Sequence, residues 1–332
     1  MKILLTGAAG GIGSTLGYFL YKKGHTLTLI DNLRNGYLEN LTINDETFGQ
    51  FYNINICDKN IINLLKDEYD CIIHLAAITS LPDCETNAVE TIDVNVSGTM
   101  NILECARAWN VPHVIFSSTS AVYENNKQKI FSEDLEVNPR LWYSLSKKMA
   151  EEICQSYRIN YNMTITTLRF FNVFGPRQDI HRKNPPIINY IVKQILNKES
   201  PVLHSDGNQR RDYVYVDDVI NLIDLCLDKK PDDTFNVCTG KLISVNEILD
   251  CIYEVLGTDI KPMYREASKL WDNYSELFDG KYSLDKQIVA KETNKYSRGT
   301  YQKAKELLGW EPNTDTEFLI KKVIKEICNS ML

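Results

Sequence analysis

The sequence predicts an α/β fold, a doubly wound parallel sheet with a smaller C-terminal lobe interleaved with it. Three observations carry this expectation. Short apolar runs alternate with helix-period segments through the first half of the 332 residues, the pattern of consecutive βαβ units. Gly7, Gly10 and Gly13 stand directly after the first apolar run and at the opening of the first amphipathic one. An acid, Asp31, closes the second apolar run, "TLTLID".

Strands are expected at "KILLT", "TLTLI", "QFYNI", "CIIHLA", "HVIFSS" and "TITTLRF". Each is a short run rich in β-branched and apolar residues, as a strand buried on both faces should be. Helices are expected between them at "GSTLGYFLYKKG", "NIINLLKD", "NVSGTMNILECARAWN" and "YSLSKKMAEEICQSYRINY", where apolar positions recur at helical spacing. After "FNVFGPRQ" the pattern loosens into Pro-rich "RKNPPI", helical "INYIVKQILNK", a turn at "HSDGNQRRD", and shorter pieces. The expected division is a dinucleotide-binding domain over 1–172 with a return segment near 212–238, and a mainly substrate-binding lobe over 173–332. No internal repeat or low-complexity tract interrupts it.

Composition narrows the function classes. The formal charge of −7 and the lack of a basic run argue against nucleic acid or an anionic membrane as the partner. The nine cysteines form no Cys-x-x-Cys pair, and the start "MKILLTGAAG" lacks the pattern of a signal peptide. No apolar run approaches the ~20 residues that cross a bilayer. A reduced, cytoplasmic protein without a zinc site is expected.

The glycine triplet permits a tight turn and close backbone approach to a pyrophosphate, whose charge the free N–H groups and the helix dipole stabilise. Gly7, Gly10, Gly11, Ile12 and Gly13 are therefore candidates for binding a dinucleotide. Asp31, with Asn32 after it, is placed to accept hydrogen bonds from the adenosine ribose and to repel a 2′-phosphate. NAD is expected rather than NADP, although Arg34 lies close by in sequence.

Tyr143 and Lys147 lie four residues apart at the start of a predicted helix, so their side chains share a face. A tyrosine with a free pKa of ~10 must be shifted by ~3 units, about 4 kcal/mol, to act as a base near neutrality. The charges of Lys147 and of an oxidised nicotinamide act in that direction.

With these residues in place, the chain resembles the extended short-chain dehydrogenase/reductases, specifically the NAD-dependent nucleotide-sugar epimerases and dehydratases built on the Rossmann fold. The resemblance spans nearly the whole length through "TGAAGGIG", "HLAA", "NVSGTMNIL", "SSTSAVY", Tyr143 with Lys147, "RFFNVFGPRQ" and "GNQRRDYVYVDDV". It implies that Leu75, Ala76, Ala77 and Ser117 lie along the cofactor, and that Asn95, counted with them, supports the central helix and active site. Thr119 would hydrogen-bond the sugar, and Tyr143 would take the proton of its C4 hydroxyl while hydride passes to NAD. Three positions depart from the family pattern. Asn55, followed by Ile56, stands where an acid usually lies near the adenine; Trp142 replaces the usual proline before the tyrosine; Glu124 replaces a usual glycine.

Family members that dehydrate their sugars place Asp-Glu directly after the catalytic threonine, and decarboxylases usually keep a glutamate at the second of those positions. Here they are Ser120 and Ala121, neither of which shuttles protons well at neutral pH. The expected activity is epimerisation, most directly at C4 of a UDP-sugar. A C4 dehydrogenase or C2 epimerase acting on a GDP- or CDP-sugar, and a non-catalytic NAD-binding protein, are the alternatives. For the substrate, the resemblance points to Asn172, Arg177 and Arg211 at the diphosphate and His204 at the base, with Ser80 a further candidate. A long segment, "LWDNYSELFDGKYSLDKQIVAKETNKYSRGTYQ", exceeds the family's connection and is expected to shape sugar specificity. A homodimer is implied through the helices starting near Asn95 and Tyr143, with Met100, Leu103, Ala106, Met149 and Ile153 as candidate seam residues.

Overall fold

The structure, a computed structural model, describes residues 1–293 and 295–331. Its principal strands are β1 (Lys2–Thr6), β2 (Thr26–Asp31), β3 (Gln50–Asn53), β4 (Cys71–His74), β5 (Val114–Thr119), β6 (Ile165–Phe170), β7 (Asn172–Phe174), β8 (Arg210–Tyr215), β9 (Thr234–Val237) and β10 (Leu242–Ser244). A seven-stranded sheet runs in the order β9-β6-β5-β4-β1-β2-β3, every pair parallel. The chain order reverses between β1 and β4, and the crevice beyond the carboxyl ends of those strands is where such a sheet binds its ligand. The six strands expected from sequence are all present, and β9 supplies the far edge beside β6.

The main helices are α1 (Gly11–Lys22), α2 (residues 88–108), α3 (Trp142–Tyr161), α4 (Ile187–Leu196), α5 (Val216–Lys229), α6 (Val245–Leu256) and α7 (Thr316–Met331). Successive side chains of a strand point to opposite faces. Ile3 and Leu5 accordingly pack in one core with Leu16 and Leu20 of α1 and Val219 and Ile223 of α5. Leu4 and Ile72 pack in another with Ile102 and Leu103 of α2 and Ala150 and Cys154 of α3. The sheet is thus covered on both sides, which explains why its strands read as continuous apolar runs.

Two helices differ from the sequence expectation. The stretch "NIINLLKD" forms only the turn Ile61–Leu64. The helix expected from Asn95 starts earlier, because α2 joins Ala88–Ile92, a π-type turn Asp93–Gly98 and Thr99–Ala108. π-Turns inside helices frequently mark functional sites, and this one carries Asn95. Leu103 and Ala106 of α2 face the sheet and are buried, whereas Met100 and Met149 stay 48% and 39% exposed.

Beyond the main sheet, β8 pairs with β7 in parallel and with β10 antiparallel. The long segment after Arg265 folds into helical turns, Ala267–Leu277, broken at Tyr274, followed by the helix Lys286–Thr293. Trp271, Tyr274 and Val289 bury themselves against Leu141, at the threshold of α3, and against Leu81. The segment therefore roofs the start of the helix that carries Tyr143.

Candidate active site

A cleft with an enclosed volume of about 370 Å³ opens at the carboxyl ends of β1, β4 and β5. Gly7, Gly10, Gly11, Ile12, Gly13, Asp31, Asn32, Asn55, Ile56, Leu75, Ala76, Ala77, Ser117, Thr119, Tyr143 and Lys147 all line it. Gly7 has φ +69°, and a Cβ there would lie 2.7 Å from the Ala76 nitrogen; a Cβ on Gly13 would lie 2.1 Å from the Gly7 carbonyl. The loop can therefore close against β4 only with glycines, leaving its surface to a ligand.

Asp31 accepts hydrogen bonds from the N–H groups of Leu33 (2.8 Å) and Ala9 (3.0 Å), so it also ties the glycine loop to the end of β2. Its oxygens retain lone pairs for ribose hydroxyls. Burial raises its pKa, and the backbone N–H groups oppose that shift. Arg34, whose charge could favour a 2′-phosphate, is ion-paired with Glu90, and both line the cleft. Asn55 turns its Oδ1 toward the Cys57 N–H (3.0 Å), forming a local turn. The glycine cradle, the carboxylate beyond β2 and the small Ala76–Ala77 wall fit an adenine dinucleotide.

Buried polar side chains hold this wall in place. His74 lies between Thr6 Oγ1 (2.7 Å) and Thr99 Oγ1 (3.1 Å), and Thr6 Oγ1 also accepts from the Ala76 N–H. Burial, aided by the Lys147 charge, lowers the His74 pKa to about 3, so the imidazole is neutral. Asn95 is a correction to the sequence expectation: its Oδ1 accepts from Ile78 N–H, and its Nδ2 donates to Ile78 O and Ser146 Oγ. Its carboxamide braces α2 against α3, and Ile78 lines the cleft in its stead.

The hydroxyls at the end of β5 divide their work. Ser117 Oγ donates to the His74 carbonyl (3.0 Å). Ser118 bonds Glu151, which is paired with Arg169 at 2.9 Å within the core. Thr119 Oγ1 accepts from the Ala121 N–H (3.1 Å) and shares the cleft lining with the half-buried Tyr143. The expected depression of the Tyr143 pKa is absent from the polypeptide alone. Burial pushes the phenol up to about 12, and the Thr119 side chain opposes the shift. The Lys147 ammonium sits 4.6 Å from the Phe116 ring centre, and burial draws its pKa down to about 8.

The substrate candidates scatter more widely. Arg177, expected at a diphosphate, instead donates to the carbonyls of Ser14 (3.3 Å) and Asn40 (3.1 Å) and lies over Tyr18. It clips its loop to α1 and lies outside the cleft lining. Arg182, which sequence reasoning missed, does line the cleft, and its buried Nε has no hydrogen-bond partner. Its only signal was a basic residue in the Pro-rich "HRKNPP" loop. Asn172 Nδ2 is engaged by the Asp212 carbonyl (3.0 Å). Ser80 starts the helix Leu81–Thr86, its Oγ buried and unpartnered, while Thr79 lines the cleft. Arg211 lies in β8 between Ile243 of β10 and Ser297. His204 follows a short strand beside Tyr264 and Arg265; burial, then the charge of Arg265, lowers its pKa. A shallower groove containing Gln209, Arg265 and Tyr296 adjoins it.

A family model described as GDP-mannose 4,6 dehydratase matches residues 4–323. The chain belongs to that family, within the extended short-chain dehydrogenase/reductases. Family members similar to this chain include a Methanocaldococcus jannaschii protein provisionally named UDP-glucose 4-epimerase, 32% identical with 99% of each chain covered. The crystal structure of UDP-glucose 4-epimerase from Thermotoga maritima with UDP-glucose is 29% identical, covers 100% of both chains and has a TM-score of 0.87. UDP-glucose 4-epimerase of Thermus thermophilus, in complex with NAD, is 26% identical, covers 99% of this chain and 100% of its own, and has a TM-score of 0.83. Among the described residues of this family member, no helix is long and apolar enough to cross a membrane and no acidic, His or Cys cluster could hold a metal ion.

Proposed function

We propose that this chain is an NAD-dependent nucleotide-sugar epimerase that inverts C4 of a UDP-sugar through a transient 4-keto sugar. The observation that carries the reading is the gathering of Thr119, Tyr143 and Lys147 in the lining of the dinucleotide cleft, with Ser120 and Ala121 following Thr119. The similarity to UDP-glucose 4-epimerases over the full chain supports it. Ser120 and Ala121, the two residues directly after Thr119, offer no acid–base pair for expelling a C6 hydroxyl.

In this reading Gly7 to Gly13 and Asp31 hold the dinucleotide, and Leu75 to Ala77 with Ser117 form its wall. NAD held there would supply the acceptor and donor for the C4 hydride, and its oxidised ring would add positive charge beside the Tyr143 phenol. Tyr143 Oη takes the proton of the C4 hydroxyl and later gives it back. Thr119 bonds the same hydroxyl and orients it. Lys147 supplies positive charge from the same helical face as Tyr143. Residues 1–172 with β9 serve the dinucleotide, and the remaining elements serve the sugar nucleotide. The protein pairs as a homodimer through α2 and α3, whose outward Met100 and Met149, with Ile159 at 71% exposure, form the seam.

The test is turnover of UDP-, GDP- and CDP-sugars in deuterium oxide, read by proton NMR and mass spectrometry. The expected product is inverted at C4 alone and carries no solvent deuterium on carbon, because the same hydride leaves and returns. Loss of water with carbon-bound deuterium, or a stable keto product with stoichiometric NADH, overturns the reading.

A further inference from the structure

Helix α3 begins without a cap of its own. Its N-cap is Leu141 (φ −68°, ψ 143°), which offers no side-chain acceptor, and its first turn contains no acidic residue. The N–H groups at a helix start require acceptors; here one carboxylate from elsewhere in the chain serves the first helical N–H, and a second holds the two residues that lead into the helix. Glu124 accepts from the N–H groups of Leu141 (3.1 Å) and Arg140 (3.3 Å). Glu85, in the helix Leu81–Thr86 and only 7% exposed, accepts from the Trp142 N–H at 2.6 Å. Trp142 directly precedes Tyr143. Its N–H exists only because the position is not proline, and Glu85 is the group that satisfies it.

The placement of Glu124 adds a second connection. The turn Ser120–Tyr123 hangs from Thr119, whose Oγ1 accepts from Ala121, and Glu124 is the residue that ends it. Its carboxylate therefore joins the strand end that presents Thr119 to the helix start that presents Tyr143. The apolar cluster of Leu141, Trp271, Tyr274 and Val289 closes over the same helix start. Both carboxylates also face the positive end of the helix dipole.

We infer that Glu85 and Glu124 are positioning residues that clamp the first turn of α3 and so hold the Tyr143 phenol at Thr119. Neither touches the reacting atoms; they act through the backbone on either side of Tyr143. The inference deepens the proposed epimerase reading and depends on it for its kinetic readout, whereas its backbone readout is independent of any substrate.

The decisive set of variants is Glu85→Leu, Glu85→Gln, Trp142→Pro and the double variant Glu85→Leu/Trp142→Pro. Proline suits the first helical position, and the extended Leu141 backbone suits the residue before it. Glu85→Leu should lower kcat about tenfold with KM within about twofold, since loss of a cap misplaces the base without removing a substrate contact. Glu85→Gln, which keeps an acceptor, should recover most of the loss. In the Trp142→Pro background, where no N–H remains to satisfy, Glu85→Leu should cost less than about twofold. Amide hydrogen exchange over residues 138–147 should accelerate in Glu85→Leu relative to Glu85→Gln. Equal kcat losses in both backgrounds, a Gln variant no better than Leu, or unchanged exchange overturns the clamp. If no nucleotide sugar turns over, the epimerase reading falls, and the exchange comparison still decides the clamp.

Discussion

The ammonium of Lys147 lies 4.6 Å from the centre of the Phe116 ring, packed beneath the helix face that carries Tyr143. A charge in that position costs stability, because burial lowers its pKa from 10.5 to about 8. For a base with a depressed folded pKa, the native state loses stability as pH falls from the unfolded value through the folded one. Below about pH 8 the full cost is present, about 3 kcal/mol from the shift. Lys147→Met should therefore raise the Tm of the ligand-free protein at pH 7 while lowering turnover at least ~100-fold. The stabilisation should shrink as pH rises from 8 to 10.5. Calorimetry across that range checks it, and a Met variant less stable at pH 7 would mean that the site is built around the charge.

Tyr143→Phe preserves the ring and deletes the proton acceptor. Turnover should fall ~100-fold or more with dinucleotide affinity nearly unchanged. Thr119→Val should produce a smaller loss, about tenfold, because it leaves the base and removes one hydrogen bond. Steady-state kinetics beside NAD titration measures both. A Tyr143→Phe enzyme with near-normal turnover would remove the phenol from the chemistry.

The pairing of Arg34 with Glu90 bears on cofactor choice. With Arg34 engaged by Glu90, a 2′-phosphate there meets the Asp31 carboxylate. Asp31→Ala should narrow the preference for NAD over NADP, and adding Glu90→Gln should narrow it further by releasing Arg34. Each step should change the affinity ratio by roughly tenfold. Calorimetric titration with both dinucleotides provides the comparison, and an unchanged ratio in the double variant would assign the choice to the glycine loop.

Local spacing made much of this molecule readable. The strands and the glycine loop could be placed because their patterns are short-range, and Tyr143 and Lys147 because four residues of helix bring them together. The support that Asn95 gives the central helix was legible, but not its partners, Ile78 and Ser146, which lie 17 and 51 residues away. The same limit hid the role of Trp142 and Glu124, whose acceptor and donors come from distant turns. The Tyr143 pKa was read from its neighbours' charge, whereas burial dominates it. Arg177 and Arg182 were indistinguishable as letters. Only the hydrogen bonds of Arg177 to Ser14 and Asn40 reveal that its side chain turns back toward α1.

Those two arginines yield the remaining prediction, because Arg182, rather than Arg177, lines the cleft. Arg177 satisfies two carbonyls that belong to α1 and to the turn ending at Leu41. Its removal should lower stability by about 0.5–1.5 kcal/mol, since one of the two hydrogen bonds is part-buried and the other is exposed. The effect on affinity for a UDP-sugar should then be small. Arg182 instead turns an unpartnered, buried Nε in the lining of the cleft, and burial lowers its pKa. An anionic ligand would relieve that cost, so Arg182→Ala should leave the ligand-free Tm unchanged or higher. Affinity for the UDP-sugar should fall by roughly ten- to hundredfold, the effect of losing a charge-assisted hydrogen bond. Thermal unfolding without ligand and titration with UDP-glucose separate the two variants. A stability loss in Arg182→Ala with unaltered affinity would show that its guanidinium serves the loop rather than the substrate.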